Sequence, residues 1–234
     1  MKTLVVCSGG LDSVTLAHKV SQEAEVIALL TFNYGQRHVK ETEYAAKCAD
    51  NLGVCHHLLD ISNISALLGG SALTDDIDVP EGHYAEDNMR ITIVPNRNAI
   101  MLTMAYGLAV SIGAERVAAA MHGGDHFIYP DCRPDFIEKF ASMQHTALDG
   151  VSRVELYTPY LQSTKADIVA EGATLSSFNA ADTWSCYQGG EFHCGRCGTC
   201  VERQEAFNIA QVADPTIYVD SEYWREAVNA HDEV

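Results

Sequence analysis

An apolar run, Leu4-Val5-Val6-Cys7, breaks on Ser8-Gly9-Gly10 and passes at Asp12 into a helical pattern with Val14, Leu16, Ala17 and Val20 on one side. A strand that enters a helix through a glycine-rich turn leaves the first helical amides pointing at whatever lies over the turn. Glycines let the backbone approach an anion closely, and the hydroxyls of Ser8 and Ser13 add donors. The plain alternative is a tight turn with Asp12 or Ser13 as the helix cap. The loop is not of Walker A type, since no Gly-Lys-Ser/Thr follows to bring a lysine to the β- and γ-phosphates. Nor does it match GxGxxG, which disfavours a dinucleotide fold.

The rest of the N-terminal half repeats the strand-to-helix pattern. Glu25–Phe32 is a second continuous apolar run of buried-strand type, His38–Leu52 reads as a helix stopped by Gly53, and Val54–Leu59 as a third strand. This β-α-β-α-β order predicts an α/β fold, a doubly wound and mostly parallel sheet. Asp60–Met89 is polar, carries Gly69-Gly70, and reads as an excursion on the ligand side of the sheet. Asn98–Ile112 predicts an amphipathic helix closed by Gly113, Arg116–Met121 a strand ending at Gly123-Gly124-Asp125, and Phe136–Leu148 a further helix.

With 234 residues, 47% of them hydrophobic and 20% charged, the chain has the composition of a soluble globular protein. No run approaches the ~18–20 apolar residues of a membrane span, and the first apolar run is too short for a signal peptide core. A cytoplasmic location is the expectation, with no membrane partner. The 15 basic against 32 acidic residues give a net charge of −17, which disfavours a nucleic-acid partner and favours a small-molecule substrate. A homodimer is compatible with the sequence, which does not set the oligomeric state.

Eight cysteines divide into scattered Cys7, Cys48, Cys55 and Cys132 and a crowded set, Cys186, Cys194, Cys197 and Cys200. Spacings of seven, two and two residues within the set suit four thiolates around one tetrahedral ion, so one structural Zn²⁺ per chain is expected. An iron–sulfur cluster uses the same ligands. A thioredoxin-like redox pair would need one CxxC at a helix start rather than four cysteines. His193 adjoins Cys194, but four cysteines already complete a ligand shell.

Two cations stand where helix design disfavours them. Asn98 is a natural N-cap, which leaves Arg97 at a helix start, and Thr164 can cap a helix whose first residue is Lys165. A cation at a helix N-terminus is unfavourable unless an anion is there too. Gln36, Arg37 and Glu41 follow the second strand, near the nucleotide edge of the sheet, Asp125 ends another strand, and Asp131 and Arg133 lie in a Pro-bounded loop. Strand ends are where doubly wound sheets place ligands, although each of these residues also reads as an ordinary polar turn.

Ser-Gly-Gly-x-Asp-Ser after the first strand resembles the pyrophosphate loop of the ATP pyrophosphatase superfamily. Those enzymes split ATP between the α- and β-phosphates to adenylate an oxygen. Together SGGLDS, YGQRH, VPNRN, GGD with YPDCRP, TK and TWSCY…HCGRCGTC are similar to the 7-cyano-7-deazaguanine synthase family of the queuosine and archaeosine pathways. The likeness runs over roughly Leu4–Tyr218 and is weakest across Ile64–Met89.

The resemblance implies an ATP-dependent carbon–nitrogen ligase. It would turn 7-carboxy-7-deazaguanine and ammonia into the nitrile through two adenylations and an amide intermediate, releasing AMP. It implies an ATP site over Cys7, Ser8, Gly9, Gly10, Leu11 and Asp12, continuing through Ser13, Val14, Thr15 and Leu16, with Mg²⁺ entering with ATP and held in part by Asp12. Arg97 and Lys165 would neutralise the α-phosphate, while Gln36, Arg37, Asp125, Asp131 and Arg133 would contact the substrate. It divides the chain into a nucleotide-binding α/β domain, residues 1–180, and a Cys₄ segment, residues 181–234, packed on it. Rivals are an enzyme that stops at the amide or transfers the activated deazaguanine, and a tRNA-modifying relative such as a thiolase. The thiolase would need a second cysteine pair and a basic surface. A non-catalytic nucleotide sensor would not need the loop and the cations together.

Overall fold

The structure, a computed structural model, describes residues 1–65 and 68–232. Positions 66 and 67 of the excursion and 233 and 234 of the C-terminal segment lie outside the described residues. The elements in order are β1 (Lys2–Val6), α1 (Leu11–Glu23), β2 (Glu25–Asn33), α2 (Glu41–Leu52), β3 (Cys55–Asp60) and a single turn α3 (Ser62–Ser65). Then follow α4 (Arg97–Ile112), β4 (Arg116–Ala118), α5 (Pro134–Ala147), β5 (Glu155–Tyr157), α6 (Lys165–Thr174), α7 (Gly198–Ile209) and α8 (Tyr223–Asp232).

The five strands form one sheet in the order β3-β2-β1-β4-β5, and every pairing is parallel. Consecutive residues of a strand point to opposite faces, which explains the Val- and Leu-rich runs. Leu4, Ala28, Leu30 and Val117 join a core with Leu102, Ala105, Tyr106 and Ala109 of α4 and Ile137 and Phe140 of α5. Their neighbours Val5, Leu29 and Ala118 face the other way, against α1, α2 and Ile168 of α6. Covering both faces is what makes the sheet doubly wound, as its sequence pattern predicts. No helix among the described residues is long and apolar enough to cross a membrane.

Strand order reverses between β1 and β4, so the chain leaves their carboxyl ends in opposite directions and opens a crevice there. The Ser8–Gly10 turn and the 119–125 segment are the lips of that crevice. The excursion between α3 and α4 roofs it, and Ala72 and Val79 pack on Trp184, Cys186, Cys197 and Cys200.

Several sequence expectations shift. The helix expected from His38 begins at Glu41, and the strand expected over Arg116–Met121 stops at Ala118, so Gly123-Gly124-Asp125 opens a short 3-10 turn, Gly123–Phe127. Asn98 is not the N-cap of α4. Asn96 holds that place in the left-handed conformation, φ 62°, and Asp131 caps the helix from outside by accepting from Asn98 N–H at 3.0 Å. The edge strand β5 has no counterpart in the sequence reading.

Candidate active site

The loop after β1 is tied to itself. Ser13 Oγ accepts from Ser8 N–H at 3.1 Å and donates to Gly10 O at 3.1 Å, and Ser8 Oγ accepts from Gly10 N–H at 3.2 Å. Among the described residues no side chain caps α1, which leaves its first amides available to an anion. Gly9 has φ +93°, and a Cβ there would lie 2.0 Å from the carbonyl oxygen of Glu41. The loop is thus pressed onto the start of α2, and Gly9 O accepts from Trp184 N–H at 2.9 Å on the other side. Cys7, Ser8, Gly10, Leu11, Asp12 and Ser13 line a cavity of about 280 Å³. Val14, Thr15 and Leu16 are buried behind the loop in α1, away from the cavity lining.

At the loop end of the cavity lies a compact charge cluster. Thr164 caps α6 by accepting from Asp167 N–H at 3.2 Å, which places Lys165 at the first helical position. Lys165 Nζ is 2.7 Å from Asp12 Oδ2 and 3.2 Å from Glu202 Oε2. Burial pushes the Asp12 carboxyl upward, but Lys165 and His122 outweigh it and hold the group below the ordinary carboxylate value. Lys165 is in turn held protonated: burial pulls it down, and Asp12, Glu202 and Asp125 more than offset that.

His122, 1% exposed, has Nε2 within 3.8 Å of Asp12 and Glu202 and 3.6 Å from Asp125. Gly124 N–H donates to its Nδ1 at 3.1 Å. Lys165 Nζ, which can only donate, lies 3.2 Å from its Nε2. Asp12 Oδ1 is buried with no hydrogen-bond partner. A buried carboxylate oxygen beside an anion cradle fits a hard cation such as Mg²⁺.

The opposite end is aromatic and holds Arg97. Its Nη1 donates to Tyr34 OH at 3.4 Å, and no carboxylate among the described residues lies within ion-pair distance of it. Tyr129 OH bonds Thr92 Oγ1 at 2.8 Å and Tyr187 OH at 3.4 Å, completing the wall around this unneutralised cation. Glu41, whose side chain is 13% exposed, forms the wall between the two ends. Burial pushes its carboxyl up to about 8, against Gln36 and Arg97, which act to lower it. Burial and the charge of Arg97 push His38 down to about 3, so that ring is neutral.

The other sequence candidates separate. Asp125 lines the cavity. Gln36 is buried beneath it, accepting from Tyr34 N–H at 2.9 Å and donating to Phe32 O and Glu41 Oε1 at 3.2 Å each. Asp131 is occupied as the cap of α4, exposed Arg37 donates to Ile77 O, and exposed Arg133 donates to His126 O at 3.0 Å. None of these last three is among the cavity-lining residues. His122, Glu202 and the three tyrosines were not singled out in the sequence, whereas Glu41 is expected with Gln36 and Arg37 near the nucleotide edge of the sheet, and it does line the cavity.

Cys186, Cys194, Cys197 and Cys200 bring their sulfurs within 4.8 Å of one another, with Cys194 and Cys200 at 3.9 Å. Edges between these two lengths put the centre of a tetrahedron about 2.4–2.9 Å from each corner, so a small closure brings the sulfurs to the Zn–S distance of about 2.3 Å. The four sulfurs fit one ion. Backbone N–H groups of Cys194, Arg196 and Cys197 donate to sulfur at 3.3–3.4 Å. His193 Nε2 accepts from Ser185 N–H at 3.1 Å and is spent there. Fully buried Arg203 binds Thr183 Oγ1, Ser185 Oγ, Ala180 O and Thr216 Oγ1, stitching the segment together. The cavity wall that this segment supplies includes Trp184, Ser185, Tyr187, Thr199 and Glu202.

Comparison with known proteins gives close relatives. A 7-cyano-7-deazaguanine synthase of Brucella anthropi is 62% identical over 228 residues, covering 97% of this chain and 98% of that one. One from Ruegeria pomeroyi is 63% identical over 228 residues, covering 97% and 99%. Among solved structures, the U34-tRNA thiolase NcsA from Methanococcus maripaludis with its [4Fe-4S] cluster is similar at a TM-score of 0.46 and 12% identity, covering all of this chain and 73% of that one. The family model described as queuosine biosynthesis protein QueC matches residues 2–211, and with relatives of this identity over nearly its full length the chain belongs to the QueC family.

Proposed function

We propose that this chain converts 7-carboxy-7-deazaguanine and ammonia into 7-cyano-7-deazaguanine, consuming two ATP and releasing AMP at each of two adenylations. The observation that carries the reading is one cavity with a phosphate cradle and an ammonium–carboxylate cluster at one end and an uncompensated guanidinium at the other. A carboxylate resists attack because its oxygen leaves badly; transfer of AMP to that oxygen makes it a good leaving group. Ammonia then gives the amide, and a second adenylation of the amide oxygen permits elimination to the nitrile.

In this reading the amides and hydroxyls from Ser8 to Ser13 hold the departing pyrophosphate. Lys165 stabilises charge at the α-phosphate from the loop end, and Arg97 does so from the other, where it also binds the substrate carboxylate. Mg²⁺, held in part by Asp12, would supply neutralisation of the triphosphate when bound. The four cysteines hold one Zn²⁺ in a closed shell that fixes the wall carrying Trp184 and Glu202. Residues 1–180 act as the nucleotide-binding body and 181–234 as the Cys₄ segment packed on it. The substrates are small molecules, and a cytoplasmic homodimer without a nucleic-acid partner fits the acidic surface.

The test is incubation with 7-carboxy-7-deazaguanine, Mg-ATP and ammonium, followed by mass spectrometry. Nitrile and AMP are expected. Absence of both refutes the reading, and an amide that accumulates without nitrile replaces it with the shorter reaction.

A further inference from the structure

Both steps that make carbon–nitrogen bonds release protons from nitrogen, and the cavity holds few groups able to take them. At the Arg97 end, His38 is neutral and pushed down to about 3, so it is a poor acceptor, while burial lifts Tyr34 to about 12 and leaves it protonated. At the loop end Asp12 and Glu202 are bound to Lys165, and Asp125 accepts from His122 N–H at 3.3 Å. That leaves Glu41, which has no lysine or arginine within 4 Å among the described residues.

Its position fits the task. The Glu41 carbonyl closes on Gly9 of the phosphate loop, its Oε1 accepts from Gln36 at 3.2 Å, and Arg97 is near enough for its charge to act on the carboxyl. With pyrophosphate on the loop and the activated oxygen facing Arg97, the reacting carbon lies against the wall that Glu41 forms.

From this placement we propose that Glu41 is the general base of the nitrogen-transfer half of the reaction. The inference rests on the reaction proposed above. Ammonia attacks the acyl adenylate, and the N–H proton of the tetrahedral adduct passes to the Glu41 carboxylate. The carbonyl then re-forms and AMP leaves with the C–O electron pair. After the amide oxygen displaces the second pyrophosphate, the cationic adduct loses one N–H proton to Glu41, which hands it to solvent. The remaining N–H proton follows: its bonding pair becomes the third C–N bond as the C–O pair departs with AMP. A carboxyl lifted to about 8 is a stronger base than an ordinary one and is matched to this duty. Burial raises it, Cys7 adds to that, and Gln36 and Arg97 oppose it; neutral His38 has Nε2 3.5 Å from Oε1, and Tyr34 is the other titratable group it faces.

The experiment separates adenylation from nitrogen transfer. Substrate-dependent exchange of labelled pyrophosphate into ATP reads the first, and rapid-quench formation of amide and nitrile reads the second. Glu41→Gln, which matches the protonated side chain in shape, should still catalyse exchange but lose about 100-fold or more in amide and nitrile formation. Glu41→Asp should recover part of the loss. In the native enzyme at constant free ammonia, nitrogen transfer should rise with pH through a midpoint near 8 and level off above it, and the rise should vanish in Glu41→Gln. Loss of exchange in parallel, nitrile at the native rate, or a flat native pH profile each overturns the assignment. Native protein that exchanges no pyrophosphate overturns the reaction and the role of Glu41 together.

Discussion

Gly9→Ala tests the loop most directly, because the neighbouring Gly10→Ala provides its control. At Gly9 the backbone has φ +93°, and an added Cβ meets Glu41 O at 2.0 Å, Ala45 N at 2.8 Å and Glu41 C at 3.0 Å. A relaxed carbon–oxygen contact is about 3.3 Å, so α2 must retreat by about 1.3 Å or the loop must deform. The left-handed backbone costs an alanine roughly 1–2 kcal/mol, and overpacking a close contact adds about 1–3 kcal/mol. The sum, about 2–5 kcal/mol, lowers Tm by roughly 4–20 °C in a chain of this size. Because α2 carries Glu41 at its first position, the same displacement moves the carboxyl, and a shift of about 1 Å can cost ~100-fold in rate. At Gly10, φ is −74° and the nearest contacts of an added Cβ are Ser8 Oγ at 3.3 Å and Trp184 O at 3.6 Å. Thermal melts and pyrophosphate exchange on both variants decide the matter. If Gly9→Ala melts with the native protein and turns over normally, the packing of the loop on α2 is wrong.

Lys165→Met removes the ammonium from among Asp12, Glu202 and Asp125, an uncompensated loss of about 3 kcal/mol; melts should fall by roughly 6–12 °C and exchange should collapse. Metal analysis should find one zinc per chain, and Cys197→Ser or a strong chelator should release it and destabilise the wall carrying Trp184 and Glu202; iron in place of zinc would refute the assignment. Glu41 binds its proton more tightly folded than unfolded, so between pH 4.5 and about 8 the folded state carries more protons and stability falls as pH rises. Denaturant titrations at pH 5 and pH 8 should therefore show Glu41→Gln gaining on the native protein at the higher pH, and parallel behaviour would contradict the burial argument.

How much of this was legible in the sequence follows from how local each constraint is. The strands β1 and β2 announce themselves because both faces are covered, so Leu4–Val6 and Val26–Leu30 run apolar without alternation. β5 has three residues, Glu155, Leu156 and Tyr157, at the sheet edge and carries no such pattern. The four cysteines are legible because a metal shell imposes its own spacing. Glu202 lies one helical turn beyond Thr199 on α7 and reads as a surface carboxylate until the Cys₄ segment turns that helix toward the cavity.

Asp131 shows the opposite failure. An acid in a Pro-bounded loop looks free for a ligand, yet it satisfies the start of α4 across 33 residues of chain. Sequence shows which backbone groups need a partner, while the fold decides which side chain arrives. Arg97 and Lys165 escape this limit because each conflicts with its own helix, a cation set against the positive end of the dipole. A chain otherwise consistent in its local choices tolerates such a conflict where something else offsets it. At Lys165 that is Asp12 and Glu202, already present in the fold. At Arg97 the side chain donates only to the neutral oxygens of Tyr34 and Asn98, and in the proposed reaction the missing anion is the one the substrate brings.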